Sequence, residues 1–243
     1  MKILVLFDID GTILQIKNGI SKKIFSNYLE KIFGPSVQRA KIPDFHGMTD
    51  LQIIREIAKS INFPIEDVED RIYEIWSDLS ADFSKYCIKE NINLMPGILK
   101  LIELLEKDET ICLGLLTGNI KQNAYSKLNT YELGSFFPVG AFGDDNHDRN
   151  VLAGLAINRA NNYYGMRFSS KNTIIIGDSF RDIECGKKNQ IPVIAVSTGG
   201  ASKGTLTEHN PEFLYDDFSD YNEVHKTIIK HFELEYEENN NSN

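Results

Sequence analysis

The sequence predicts an α/β fold: a doubly wound parallel-sheet core with an all-helical segment inserted after its first strand. Two observations carry this reading. Short apolar runs rich in branched side chains alternate with stretches of helical periodicity, the rhythm of a parallel sheet covered on both faces. Between about residue 17 and residue 90 that rhythm stops and only helical patterns remain. The division that follows is a core of residues 1–16 and 91–232, a helical insert of residues 17–90 and a tail of residues 233–243.

The opening run Ile3-Leu4-Val5-Leu6-Phe7 is short and apolar at every position, as a strand buried on both faces requires. Ile111 to Leu116, Thr173 to Ile176 and Pro192 to Val196 read alike, and a weaker run, Val139 to Phe142, lies between the second and third. Helical spacing follows Pro96-Gly97 through Ile98, Leu101, Ile102 and Leu105, and recurs over about 120 to 128, 151 to 164 and 180 to 188. Inside the insert, Ile20 to Phe33 gathers Ile24, Phe25, Tyr28, Leu29 and Ile32 on one face, and Leu51 to Ile61 and Val68 to Tyr86 keep the same period. Trp76 and Phe83 fall at that spacing and read as core of the insert. Glu233 to Asn243 is acidic and then rich in Asn, a composition that predicts disorder.

A chain of 243 residues, 42% hydrophobic and 25% charged, can bury a full core without cross-links. The net charge of -9 argues against a broad nucleic-acid or anionic-membrane surface, though not against a phosphorylated small molecule met by a cation. Cys87, Cys112 and Cys185 are odd in number, widely spaced and free of any CxxC pair, so they read as thiols in a reducing compartment. The first apolar run stops at Asp8, too soon for a signal sequence or a membrane span. The expectation is a cytoplasmic protein, a monomer or small homodimer, with neither nucleic acid nor membrane as partner.

Chemistry gathers where the strands end. Asp8-Ile9-Asp10-Gly11-Thr12 follows the first strand directly, and the carboxyl end of a strand is where open α/β sheets bind ligands. Gly11 turns the chain, so both carboxylates can reach the crevice. The run Ile174 to Ile176 likewise ends in Gly177-Asp178-Ser179-Phe180-Arg181-Asp182, with two acids one helical turn apart. Thr117-Gly118-Asn119 closes the second strand and offers a hydroxyl and backbone donors to an anion.

In that order these motifs resemble the haloacid dehalogenase superfamily, over nearly the whole chain. The insert resembles the helical cap of its phosphoglycolate phosphatase and β-phosphoglucomutase branch, as do Phe45-His46-Gly47-Met48-Thr49-Asp50 and Met95-Pro96-Gly97. The resemblance implies a Mg2+-dependent phosphatase of a small soluble phosphate monoester, working through an aspartyl phosphate on Asp8. It implies Asp10 as acid and base, Mg2+ held by Asp8, the Asp10 carbonyl and Asp178, and Asp182 in support. Thr117, Gly118 and Asn119 would bind the phosphoryl oxygens. A phosphomutase is one alternative within the family, and a non-catalytic binding protein that keeps the family's fold as a scaffold is the alternative of another class.

One departure stands out. Family members usually place a Lys near the start of the helix after the third strand, and here Asp148-Arg149-Asn150 stands there. Arg149 is the candidate cation, catalytic and phosphate-binding, since a guanidinium meets phosphate bidentately. Lys121 and Lys171 fit worse by position, and pairing of Arg149 with Asp145 or Asp148 at the surface is the competing reading. His46 could meet substrate from the cap, although a lone loop histidine more often serves structure.

Overall fold

Every residue of Ile3–Phe7 is buried, and alternate side chains feed two separate cores, which places this strand in the middle of a covered sheet. The computed structural model describes residues 2–17, 19–41 and 45–241. In chain order its elements are β1 (Ile3–Phe7), β2 (Leu14–Ile16), α1 (Ile20–Phe33), α2 (Asp50–Ser60), α3 (Glu66–Glu69) and α4 (Ile72–Ser84). Then follow β3 (Ile92–Leu94), α5 (Ile98–Lys107), β4 (Ile111–Leu116), α6 (Lys121–Asn129), β5 (Gly140–Ala141) and α7 (Arg149–Tyr164). The chain ends with β6 (Thr173–Gly177), α8 (Phe180–Asn189), β7 (Val193–Val196), α9 (Lys203–Glu208), β8 (Phe213–Tyr215) and α10 (Tyr221–Asn241).

The main sheet has six strands in the order β5-β4-β1-β6-β7-β8, all parallel. From β1 the chain steps through β4 to β5 on one side, then crosses to β6 and runs outward through β7 to β8. The order therefore reverses beside β1, where open α/β sheets form their ligand crevice. Register brings the strand ends level, with Phe7 opposite both Leu115 and Ile176.

Period-two alternation decides which helices cover which face. Ile3, Val5 and Phe7 share one core with Leu101 of α5, Leu128 of α6 and Ile228 of α10. Leu4 and Leu6 share the other with Leu152 and Ala156 of α7, Ile183 of α8 and Leu206 of α9. The helices are thus on both faces, as the sequence predicts. Phe7 meets Phe137 edge-on at 5.6 Å, both fully buried.

Three differences from the sequence reading have local causes. Leu14–Ile16 pairs antiparallel with Ile92–Leu94, so a short ribbon stands where the helical segment leaves and rejoins the sheet. Three residues with a buried-exposed-buried pattern are too few to signal a strand. β8 escaped for the same reason, its three residues only half-buried at the sheet edge. The stretch from Val68 to Tyr86 is broken between α3 and α4 at the polar pair Asp70-Arg71.

The tail also differs. The sequence predicts disorder from Glu233, whereas α10 continues to Asn241; Ser242 and Asn243 lie outside the described residues. Val224, Ile228 and Phe232, spaced by one helical turn, are buried and seed this helix against α5. His225 Nε2 adds a contact to Asp108 Oδ2 at 2.7 Å.

Among the described residues no helix is long and apolar enough to cross a membrane. The three cysteines are free thiols, Cys112 and Cys185 buried and Cys87 half-buried.

Phe137 ties the 130s loop to the central strand. Phe137→Ala should cost about 3–5 kcal/mol in urea unfolding, as deletion of a buried ring without collapse does. A loss near zero would mean the ring does not hold β1 in place.

Candidate active site

Asp8 continues the face of β1 that carries Leu4 and Leu6, so its side chain turns toward α7 and α8. It is 5% exposed, and its Oδ1 accepts from Nη2 of Arg149 at 3.0 Å. The same Nη2 donates to Asp182 Oδ1 at 2.5 Å and to the Leu116 carbonyl at 3.0 Å. Arg149 is itself buried at the first turn of α7, and its Nε has no hydrogen-bond partner. Asp145 pairs with Arg159 instead, and Asp148 caps α7 by accepting from Asn150 N at 2.9 Å. With Nη1 donating to the Gly47 carbonyl at 3.4 Å, the guanidinium is thus spent on two carboxylates and two carbonyls, rather than displayed as an open fork.

Asp178 ends β6 and is 4% exposed. Gly11 and Gly199 press against its carboxylate so closely that a Cβ on either would overlap it. Gly11 also adopts φ +82°, a conformation that L side chains rarely take. Thr12 Oγ1 donates to Asp178 Oδ1 at 3.4 Å.

Asp182 is fully buried and fully engaged. Its Oδ2 accepts from Ser179 N at 3.0 Å and from Ser179 Oγ at 2.6 Å, closing a capping box on α8, while Oδ1 takes Arg149. One oxygen from each of Asp8, Asp178 and Asp182 lies within 4.8 Å of the others. Since Asp182 is saturated by Ser179 and Arg149, Asp8 and Asp178 are the better open donors.

Three carboxylates against one guanidinium leave excess negative charge in a dry setting. Burial pushes the Asp8 carboxyl up to about 7, aided by Asp182 and Asp10 and opposed by Arg149. Burial and the neighbouring Asp8 likewise hold Asp178 well above the usual carboxylate range. An all-oxygen donor set with uncompensated charge fits a hard divalent cation.

Asp10 takes the other direction. Its side chain is 44% exposed and meets α6 rather than α7. Lys127 Nζ lies 2.7 and 2.6 Å from its two oxygens, and Asn119 Nδ2 donates to Oδ2 at 2.7 Å. Lys127 also donates to Asn119 Oδ1 at 2.6 Å, and Asn119 Nδ2 reaches Thr117 Oγ1 at 2.8 Å. Thr117, fully buried, is held in turn by its N–H donating to the Ala141 carbonyl at 3.1 Å.

Lys127 is the functional candidate that sequence reasoning missed. It lies inside a helix whose periodicity looked ordinary. Its signal was the spacing of Asn123 and Lys127, one turn apart on a helix that otherwise packs Ala124 and Leu128 inward, with Asn119 in the loop just before it.

The helical segment docks on these loops through residues 47–50. Thr49 caps α2, accepting from Gln52 N at 3.0 Å, and its hydroxyl donates to the His147 carbonyl at 2.9 Å. Asp50 N donates to the Gly118 carbonyl at 2.8 Å, and Asp50 Oδ2 accepts from Ile120 N at 2.9 Å. Burial pushes Asp50 up to about 6. At Gly118 the Met48 backbone approaches too closely for any Cβ. The result is a cavity of about 560 Å3 floored by Asp8, Asp10, Thr117, Arg149 and Asp178 and roofed by the helical segment, with His46 in its wall. Trp76 lies in the core of the helical segment, as expected, and Phe83 belongs both to that core and to the cavity wall.

Acid-bearing strand ends meeting at the reversal point of a parallel sheet define a class of α/β hydrolases. Comparison narrows it: the profile of the haloacid dehalogenase-like hydrolase family matches residues 5–196, and the chain belongs to that family. Over 226 residues it is 25% identical to probable phosphatase IndB of Dickeya dadantii, covering 90% of this chain and 92% of that one. It is 26% identical to phosphoglycolate phosphatase of Synechococcus elongatus over 130 residues, 53% of this chain and 58% of the relative. The crystal structure of a predicted phosphatase from Clostridium acetobutylicum matches in fold with TM-score 0.65 at 22% identity, covering 95% of this chain and 99% of that one.

Two outcomes follow from this charge balance. Because the folded Asp8 holds its proton between 3.8 and about 7, metal-free protein should lose stability as pH rises through that window. A divalent cation displaces that proton, so added Mg2+ or Mn2+ should raise Tm more at about pH 8 than at about pH 5. Equal shifts at both would contradict the assignment. Arg149→Met strands two buried carboxylates, and equilibrium unfolding near neutral pH should show a loss of about 3–5 kcal/mol.

Proposed function

We propose that this hydrolase cleaves a small phosphate monoester, with Asp8 taking the phosphoryl group and water then releasing it. The observation that carries the reading is convergence: the ends of β1, β4 and β6 bring Asp8, Asp10, Thr117, Asn119 and Asp178 to one cavity under a helical roof. A carboxylate nucleophile splits one difficult substitution into two easier ones. Asp8 is held for this by Arg149, which donates to its Oδ1, and a carboxylate oxygen of Asp8 lies within 4.8 Å of one from Asp178.

Asp10 is the proton carrier. It gives a proton to the leaving oxygen and takes one from the hydrolytic water, and it stands at the more exposed side of the cavity where a leaving group exits. Lys127 and Asn119 orient it, and Lys127 is a cation that the substrate phosphate can share. Thr117 Oγ1 and the backbone around Gly118 offer donors to the phosphoryl oxygens.

Asp8, Asp178 and the Asp10 carbonyl would hold Mg2+, the ion suited to an all-oxygen site that keeps part of its water shell. When bound, it neutralises charge between the carboxylates and the phosphate. Residues 17–90 act as the cap, closing over the cavity, excluding bulk water and choosing the leaving group. Phosphatases among the sequence relatives are consistent with this reading.

Phosphate release from a panel of esters should require Mg2+, stop with EDTA and fall by at least about a thousandfold in Asp8→Asn, as removal of a nucleophile does. Appreciable turnover by Asp8→Asn would remove Asp8 from this role. Lys127→Met should lower kcat by about tenfold to a hundredfold, in keeping with loss of one transition-state cation.

A further inference from the structure

The helical segment does more than roof the cavity, for it grips α6 at three levels. At the start of the helix, Ile120 N donates to Asp50 Oδ2 at 2.9 Å, while the side chain of Ile120 itself caps nothing. Just past its end, Thr130 Oγ1 donates to the Cys87 carbonyl at 3.1 Å. Between them the Phe83 ring of α4 covers the Lys127 ammonium, its centroid 5.3 Å from Nζ.

The middle contact reaches the chemistry. Lys127 Nζ carries three protons and has Asp10 Oδ1 and Oδ2 at 2.7 and 2.6 Å and Asn119 Oδ1 at 2.6 Å. Both Lys127 and Phe83 are buried. A ring face within about 6 Å of an ammonium attracts it through the ring quadrupole, and more strongly where water is excluded. The place of Phe83 is set by α4, on which Ile75, Leu79 and Phe83 are buried one turn apart, the last two lining the cavity. An aliphatic side chain would fill that corner equally well but would not attract the cation.

We infer that Phe83 is a positioning residue: its ring face holds Lys127 against Asp10, so that the helical segment aims the proton carrier at the leaving oxygen. The inference rests on the reading of Asp10 as that carrier. As the bond from Asp8 to phosphorus forms and the ester P–O bond breaks, the bonding pair goes to the leaving oxygen, which takes the Asp10 proton. Poor aim at Asp10 therefore slows departure of a basic oxygen and matters little for one that leaves as a stable anion. Phe83 touches neither reacting group in this account and acts through Lys127.

The test compares phenyl phosphate with 2,4-dinitrophenyl phosphate, which share a ring but differ in how much the leaving oxygen needs a proton. With Mg2+ and the full chain, kcat/KM reports the first phosphoryl transfer alone. Phe83→Leu should lower it about fivefold or more further for phenyl than for dinitrophenyl phosphate, the pattern also expected of Asp10→Asn. Phe83→Tyr, which keeps the ring face, should recover most of that difference. In a Lys127→Met background Phe83→Leu should no longer change the ratio of the two esters, since the ring acts through the ammonium. Should Phe83→Leu not fold, Phe83→Met removes the ring at similar length and carries the same expectation. An equal loss for both esters in the Phe83 variant, or a larger one for the dinitrophenyl ester, makes the ring a packing surface and overturns the inference while the phosphatase reading stands. A ratio change that persists without the Lys127 amine overturns it too. Equal losses in Asp10→Asn itself overturn the proton-carrier reading and the inference with it, and no release by the wild type from either ester overturns the hydrolase reading and the inference together.

Discussion

Charge buried at the ends of parallel strands is the constraint around which this molecule is built. Asp8, Asp178 and Asp182 share a dry floor with one guanidinium, and the Coulombic attraction of Arg149 offsets only part of the desolvation. The fold manages the remainder by local devices. Ser179 caps α8 and binds Asp182 in a capping box, Gly11 and Gly199 give Asp178 room, and Arg149 enters at the first turn of α7 already aimed at the strand end. What is left uncompensated is an oxygen-lined demand for positive charge, a donor set that fits a hard divalent cation.

The topology makes that arrangement possible. Because the strand order reverses beside β1, helices α6 and α7 start from the same region yet cover opposite faces of the sheet. Asp8 and Asp10, two residues apart, are therefore served by different helices: Asp8 by Arg149 of α7, Asp10 by Lys127 of α6. One carboxyl is sealed and fixed and the other is more exposed and oriented, a separation suited to a nucleophile and a proton carrier. The loop of Met48, Thr49 and Asp50 then closes the space from above by hydrogen-bonding to the same strand-end loops.

The strand ends were legible in the sequence because a run such as Ile3 to Phe7 stopping at Asp8 leaves few other uses for the acid. The same logic found Asp178 and the turn at Thr117. Arg149 was found by its place in the chain, but its partners were not, because Asp8 lies 141 residues away and Asp182 33. Lys127 stayed hidden because helical periodicity explains a lysine without any function, and only the fold reveals that its neighbour in space is Asp10. The β2–β3 ribbon and β8 are three-residue strands whose pairing is long-range, below what local pattern can carry. The length of α10 past Phe232 ran against composition, since the anchoring residues precede the acidic stretch.

The central claim is that Asp8 itself accepts the phosphoryl group. It is tested most directly by acid-quenching Asp10→Asn protein mixed with Mg2+ and an aryl phosphate, then locating phosphoryl adducts by peptide mass spectrometry. With the proton carrier for the second step removed, the account predicts an adduct on the peptide carrying Asp8, absent in the Asp8→Asn, Asp10→Asn double variant. An adduct at another residue, or free phosphate formed with no adduct at any time, would contradict it.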